Sequence, residues 1–291
     1  MLDALIIGAG PAGASCASWL AGLGLSPMLI DARPVAGGLL NDSPFRNDWI
    51  VTQPGVTGPD LAEGIGLALA AAGIPLLLGC TAKSLERSGD SFHVSFELPD
   101  GMPKMLAAKS LVIATGVRPR DGGFAASPRV LIGPGAHIAA QDVTGRSVAI
   151  LGGGDNAFEN YEAVKRAGAA EAHIYARTIR AARKFTERAS ATDVRLGAYD
   201  VDGGSIQVNG RDYDMLIVMY GWEPQPLFVH ELALDLDEKG YLSVDFQTCA
   251  TNVAGVYAIG EVTSRNHPCV VTAMADGVTA AKAIQSLLES R

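Results

Sequence analysis

The sequence predicts an α/β protein of doubly wound architecture, built from two strand–turn–helix units of similar design. Three observations predict it. The apolar run Ala4 to Ile7 leads directly into Gly8-Ala9-Gly10-Pro11-Ala12-Gly13 and then into the Ala-rich helical segment Ala14 to Ala21. The pattern returns in mid-chain, where Ser147 to Leu151 leads into Gly152-Gly153-Gly154-Asp155-Asn156-Ala157 and the helix Phe158 to Arg166. Elsewhere, short apolar runs such as Leu111 to Ala114 and Val256 to Ile259 alternate with helical segments, the last being Val270 to Ser290.

Composition bounds the rest. The 291 residues are 48% hydrophobic and 19% charged, enough to bury a core, and the length suits two domains. Lys+Arg 23 against Asp+Glu 31 gives a net charge of −8, which argues against a nucleic-acid partner. The long uncharged stretch Gly64 to Cys80 is broken by Gly73 and Pro75, so it reads as a helix followed by a strand, Ile74 to Leu78, not as a membrane span. Met1 leads past Asp3 straight into a strand, with no basic segment ahead, so a cytoplasmic protein is expected. Cys16, Cys80, Cys249 and Cys269 lie far apart without a C-x-x-C, which predicts neither a metal site nor a disulfide framework.

Each position of the first glycine turn has its own physical role. Gly8 permits the turn, Gly10 lets backbone N–H groups approach a pyrophosphate, and Gly13 lets the helix pack closely on the sheet, with Pro11 and Ala12 opening that helix. The helix N-terminus stabilises phosphate charge. A second strand, Pro27 to Ile30, ends in Asp31, 18 residues after Gly13, where a carboxylate can accept hydrogen bonds from a ribose diol. A dinucleotide site follows.

In the second turn Gly152, Gly154, Asp155, Asn156 and Ala157 take the corresponding places, and the same step of 18 residues from Ala157 reaches Tyr175. No carboxylate lies between His173 and Ala182. Arg177, Arg180 and Arg183 cluster there, where a guanidinium fork suits a 2′-phosphate and an acid would repel it. The alternative for any one of them is a solvated helix face. This second site is read as preferring NADPH to NADH, and the difference between the two ribose positions implies two dinucleotides, FAD and NADPH.

Beyond both turns the chain contains Gly37-Gly38, Pro54-Gly55, Ala114-Thr115-Gly116, Gly221 with Pro224, and Gly255-Val256-Tyr257-Ala258-Ile259-Gly260-Glu261. Over essentially its whole length it resembles the thioredoxin reductase family of two-domain pyridine nucleotide-disulphide oxidoreductases. The resemblance implies two Rossmann-like dinucleotide-binding domains, the NADPH domain inserted into a discontinuous FAD domain. The FAD domain would comprise 1–116 and 244–291 and the NAD(P)H domain 117–243, with hinge crossings near Gly116 to Arg118 and Gly240 to Val244. It also implies FAD contacts from Gly38, Ala114, Thr115, Gly116 and Gly260, from the backbone of Ala82 at the adenine, and from Glu261, where the family usually has Asp, at the ribitol. Val270 and Val271 would open a helix aimed at the flavin N1 and O2 edge, Gly221 would serve the NADPH half, and a homodimer is implied.

One family feature is missing. Thioredoxin reductases carry a redox-active C-x-x-C shortly before the second glycine motif, but here Val130 to His137 places Gly133 and Ala136 at the two cysteine positions. Disulfide exchange needs an attacking and a resolving thiol, and neither residue supplies one. Cys16 and Cys80 read as buried small hydrophobes and Cys249 as a loop residue. Cys269 immediately precedes the helix aimed at the flavin, where the family usually has Gln, and is placed to contact the cofactor without a resolving partner. His137 and His267 flank the same inferred region, and no catalytic residue is assigned.

The expectation is a FAD-dependent NAD(P)H oxidoreductase passing hydride from NADPH to FAD and electrons onward to a non-disulfide acceptor. Ferredoxin, flavodoxin, a quinone or another small molecule would serve. The alternative is a flavin-binding redox sensor without sustained turnover.

Overall fold

A computed structural model describes residues 1–290. The chain forms two compact units, one of Met1–Asn41, Phe45–Val117 and Glu223–Arg291, the other of Asp42–Pro44 and Arg118–Trp222.

In the first unit, strand Leu2–Ile7 is the centre of a seven-stranded sheet ordered Leu76–Leu78, Pro27–Asp31, Leu2–Ile7, Pro103–Ile113, Ser91–Glu97, Thr81–Ser88, with Val256–Ala258 also paired to Pro103–Ile113. The central pairs are parallel, with Ile7 opposite both Ile30 and Ile113, and Ala258 opposite Ile113. Their carboxyl ends therefore line up at one edge, where ligands of doubly wound sheets bind. Because both faces of these strands are covered, they read as continuous apolar runs without alternation.

On one face, Ile6, Leu29 and Val112 meet Ala17 and Leu20 of helix Pro11–Gly22 and Ala280, Ala281 and Ile284 of helix Val270–Glu289. The two helices approach closely, since a β-carbon at Gly277 would lie 2.5 Å from the Ala12 carbonyl oxygen. On the other face, Leu5, Ile30 and Ile113 pack with Phe92 and Phe96 of the antiparallel meander and with Phe228, Leu232 and Leu242.

The second unit is a five-stranded parallel sheet ordered Val130–Ile132, Met215–Val218, Ser147–Leu151, Glu171–Ala176, Val194–Leu196. Helix Asp155–Arg166 buries Phe158, Tyr161 and Val164 against one face, the helical spacing that makes its apolar stripe. Ile206, Val208 and Tyr213, from and beside a small three-stranded antiparallel sheet, cover the other.

Three sequence expectations are corrected. The second crossing between units lies at Trp222–Glu223, not near Gly240 to Val244. Phe228, Leu232, Leu234 and Leu242 bury themselves in the first unit's core, Leu232 from the one-turn helix Val229–Leu232 and the others from the loops around it, stretches too short to show a period in the sequence. The first crossing lies at Val117–Arg118. The strand expected over Ile74 to Leu78 is Leu76–Leu78, because the Ile74 N–H closes the preceding helix by donating to Leu69 O at 3.1 Å. Leu111 to Ala114 is the end of a longer strand, Pro103–Ile113. No helix among the described residues is long and apolar enough to cross a membrane.

Candidate dinucleotide-binding sites

At the end of the central strand, Gly8 adopts φ +113° and donates its N–H to Ile30 O at 2.8 Å. A β-carbon there would lie 2.3 Å from the Ala114 carbonyl oxygen, and one at Gly13 would lie 1.9 Å from the Gly8 carbonyl oxygen, so both positions require glycine. Gly10 caps helix Pro11–Gly22 without any side-chain hydrogen bond. Helix Gly58–Ala71, outside the site, has a full capping box from Thr57 and Asp60. The fingerprint helix thus keeps its first N–H groups open for an anion. Gly37 donates to Ala9 O at 2.8 Å, and a β-carbon at Gly38 would lie 3.1 Å from the Gly10 Cα, which holds a second glycine loop against the turn.

Asp31 is buried at the strand end, its carboxylate accepting the Ala9 N–H at 2.6 Å and the Arg33 N–H at 2.7 Å. Each oxygen retains a second lone pair, so the group fits a ribose diol while also fixing the glycine turn. Ala114 lies beside this turn. Thr115 donates its hydroxyl to Gln225 O at 2.6 Å, and the Gly116 carbonyl accepts the Gln225 N–H at 3.0 Å. Ala82 sits on the meander strand Thr81–Ser88, opposite Phe96, just before a register shift.

Gly260 and Glu261 follow strand Val256–Ala258 in a single 3-10 turn. Burial of the half-buried Glu261 carboxyl pushes its pKa up. Val270 and Val271 form the first turn of helix Val270–Glu289, Val270 half-buried and Val271 exposed. Cys269 is its N-cap, donating its N–H to the Thr272 hydroxyl at 3.0 Å. Partial burial raises the Cys269 thiol, but hydrogen bonds from the Thr272 hydroxyl and from the Thr272 and Val271 backbone outweigh this, leaving it below the ordinary thiol range. All four cysteines are free. Burial drives Cys16 far up and Cys80 up, and burial with the Asp276 carboxylate pushes Cys249 up to about 12, so these three thiols are inert at neutral pH.

The second unit repeats the plan with different supports. Gly152 has φ +142°, and a β-carbon on it would lie 2.2 Å from the Met219 carbonyl oxygen. Gly154 caps helix Asp155–Arg166, again with no side-chain cap. A cavity of about 280 Å³ opens here, lined by Gly154, Asp155, Asn156 and Ala157 together with Arg180, Gly221 and Trp222. Asp155 Oδ1 accepts the Ala182 N–H at 2.7 Å, and the Arg180 N–H donates to Gly153 O at 2.7 Å, so the arginine loop is tied to the glycine turn at both ends. Neither tie, nor Trp222 in the lining, was expected from the sequence.

The residue standing for Asp31 is corrected. Gly8 N–H bonds to Ile30 O, and Gly152 N–H bonds to Tyr175 O, which makes Tyr175 the counterpart of Ile30 and Ala176 the counterpart of Asp31. The connection is one residue longer in the second unit, pairing Leu151 with Tyr175 where the first pairs Ile7 with Ile30. The Tyr175 ring turns to the opposite sheet face, its hydroxyl 2.7 Å from that of Tyr213. The ribose position remains free of acid. The three arginines also separate: Arg177 is exposed directly after Ala176, Arg180 lines the cavity, and Arg183 is 89% exposed and paired with Glu187 at 2.6 Å.

Gly133, where the resemblance would place the first redox cysteine, has φ +72°, and a β-carbon there would lie 2.2 Å from the Pro119 ring. Ala136 is exposed at the start of the short helix Ala136–Ala139. His137 and His267 are both exposed and belong to different units.

Comparisons with known proteins show the family and the fold. Residues 2–196 and 192–277 match the family model of the pyridine nucleotide-disulphide oxidoreductases. The thioredoxin reductase of Streptomyces coelicolor is 27% identical over 302 residues, covering 96% of this chain and 91% of that protein. Among solved structures, Lactococcus lactis thioredoxin reductase aligns with a TM-score of 0.84 at 22% identity over 100% of both chains. The bacillithiol disulfide reductase of Bacillus cereus aligns at 0.80 and 16% identity, covering 98% of this chain and 99% of that one. With two glycine turns open to dinucleotide phosphates and a family match over most of its length, this chain is an oxidoreductase and belongs to the pyridine nucleotide-disulphide oxidoreductase family, whose thioredoxin reductase-like members use FAD and NADPH.

Proposed function

We propose that the protein oxidises NADPH through FAD and delivers the electrons to an acceptor that is not a protein disulfide, such as ferredoxin, flavodoxin, a quinone or another small molecule. The backbone at Gly133 carries this reading. A left-handed conformation packed on the Pro119 ring has no room for a cysteine side chain, so the departure from a redox pair lies in the main chain as well as in the residue type.

Bound FAD supplies hydride acceptance from NADPH and release of electrons singly or in pairs. The chain supplies the rest. Gly8, Gly10, Gly13, Asp31 and Gly38 cradle the pyrophosphate and ribose of FAD, with Ala82, Ala114, Thr115, Gly116, Gly260, Glu261, Val270 and Val271 around it. Gly152, Gly154, Asp155, Asn156, Ala157 and Gly221 hold NADPH, Arg180 meets its pyrophosphate and Arg177 its 2′-phosphate. Arg183 would first have to leave Glu187.

The test is anaerobic reduction by NADPH, then re-oxidation in parallel by ferredoxin, flavodoxin, quinone, thioredoxin with an aromatic disulfide, and small disulfides. Rapid re-oxidation by a non-disulfide acceptor is expected, with sustained turnover on ferricyanide separating a reductase from a sensor. Brisk thioredoxin turnover that survives Cys269→Ser overturns the reading. A second reading, a single-thiol relay to small disulfides, is favoured by the exposed and lowered Cys269 thiol; it requires that small-disulfide turnover be present and vanish in Cys269→Ser.

A further inference from the structure

Helix Val270–Glu289 carries at Asp276 a carboxylate that is 2% exposed. Burying such a group is unfavourable unless it is paired and hydrogen-bonded. Arg265 meets it with both arms of its guanidinium, Nε on Oδ2 at 2.7 Å and a terminal nitrogen on Oδ1. The remaining bond comes from the Gly260 N–H, which donates to Oδ2 at 3.1 Å.

Gly260 is the turn that presents Glu261, and it is held on its other side as well. Its carbonyl accepts the Thr263 N–H at 3.1 Å and the Thr263 hydroxyl at 2.8 Å. With φ +73°, it sits so close to the fingerprint helix that a β-carbon would lie 2.9 Å from the Ala12 β-carbon. Gly277, the residue after Asp276, touches the same helix: a β-carbon there would lie 2.5 Å from Ala12 O and 2.6 Å from Cys16 N. The glycine turn, the Glu261 turn and the last helix therefore meet around one ion-paired carboxylate.

We propose that Arg265 and Asp276 are the positioning pair of the FAD site, setting the Gly260–Glu261 turn against helix Pro11–Gly22 without touching the cofactor themselves. This rests on the reading of the first unit as the FAD-binding half. Arg265 is the residue to vary, because its side chain is partly exposed, whereas Asp276 is buried within the helix contact. Arg265→Lys keeps the charge and loses the fork, whereas Arg265→Ala loses both.

The experiment removes FAD from the full-length protein and titrates it back, measuring Kd by flavin fluorescence well below each variant's melting temperature. Kd is expected to rise about tenfold in Arg265→Lys and about a hundredfold in Arg265→Ala, with added guanidinium partly restoring the latter. NADP⁺ binding to the second unit should not change. A merely structural pair would lower the melting temperature and leave Kd at the wild-type value, and that result overturns the proposal. Asp276→Asn is a supporting variant, and if it fails to fold the Arg265 variants decide alone. A parent protein that takes up no FAD defeats the underlying reading too, whereas a parent that binds FAD no more tightly than its Arg265 variants defeats the pair alone.

Discussion

In the first unit the residue after the leading glycine is Ala9, and its N–H is held by a buried carboxylate, Asp31, at 2.6 Å. In the second unit that residue is Gly153, the carboxylate's place is taken by Ala176, and the turn is held through the Gly153 carbonyl by the N–H groups of Arg180 and Ala181 at 2.7 and 3.0 Å. A buried acid fixes one turn; a loop bearing arginines fixes the other. The two supports have opposite consequences for charge at the adenosine ribose. An acid at the strand end accepts hydroxyls and repels a phosphate, and an alanine followed by Arg177 does the reverse. The difference teaches that the first unit joins two tasks in one carboxylate, which holds the turn and occupies the ribose position, whereas in the second the turn is held by backbone N–H groups, so the side chains at Ala176 and Arg177 can change without releasing it.

The largest expected effect comes from exchanging the second residues of the two turns. A β-carbon at Gly153 would lie 2.0 Å from the Thr178 carbonyl oxygen, a backbone atom in the loop that the turn itself holds. Gly153→Ala should cost about 3 kcal/mol and abolish NADPH binding while FAD content stays normal. The reciprocal Ala9→Gly should cost only about 0.5–1 kcal/mol through chain entropy and keep FAD. Calorimetric titration of NADP⁺ and the flavin absorbance of the purified variants check both. Equal behaviour of the two substitutions would break the comparison.

Next in size is Asp31→Ala. It leaves the buried Ala9 N–H without an acceptor, which costs about 1–3 kcal/mol, and it should weaken FAD binding ten- to a hundredfold, read from flavin release on dilution. The mirror change, Ala176→Asp, places an acid where the second unit lacks one and should erase the preference for NADPH over NADH. Arg177→Ala should weaken NADPH alone, by about 1.5–3 kcal/mol, whereas Arg180→Ala, lining the cavity at the fingerprint, should weaken both nucleotides. Arg183→Ala, already paired with Glu187, should change either Kd by less than about threefold.

Much of this comparison was legible before any coordinates, for a physical reason: glycine at a position that permits no β-carbon is a covalent constraint, written directly in the residue type. Gly8, Gly13 and Gly152 are of that kind. The strands around them were legible because burial on both faces makes them uninterrupted apolar runs. Counting failed where a single residue in a connection shifts the frame, as it did at Tyr175 and Ala176, since the pairing of Leu151 with Tyr175 is set by the sheet and not by spacing. The crossing at Trp222–Glu223 was misplaced because Phe228, Leu232 and Leu242 reach the first unit's core from a one-turn helix and the loops around it. The Arg265–Asp276 pair was invisible for a similar reason: a buried acid on a helix looks like any solvated one until its partner, brought in from a loop, is known.

The smallest expected effect concerns the Glu261 carboxyl of the first unit. Asp31 receives backbone N–H groups on both oxygens, whereas Glu261 is pushed up by burial alone. In FAD-free protein the folded state therefore holds the Glu261 proton to a higher pH than the unfolded chain does. Between the ordinary glutamate value of 4.5 and the raised folded value, the folded state binds more protons, so stability falls as pH rises through that window. Glu261→Gln removes the titrating group and should remove this part of the fall. Urea unfolding of the FAD-free parent and variant across that range should show the variant gaining relative stability as pH rises and levelling off above the folded value. Parallel curves would mean that the Glu261 carboxyl is as well solvated in the folded protein as in the unfolded chain. A ribitol contact from Glu261 would then involve no carboxyl already stripped of water.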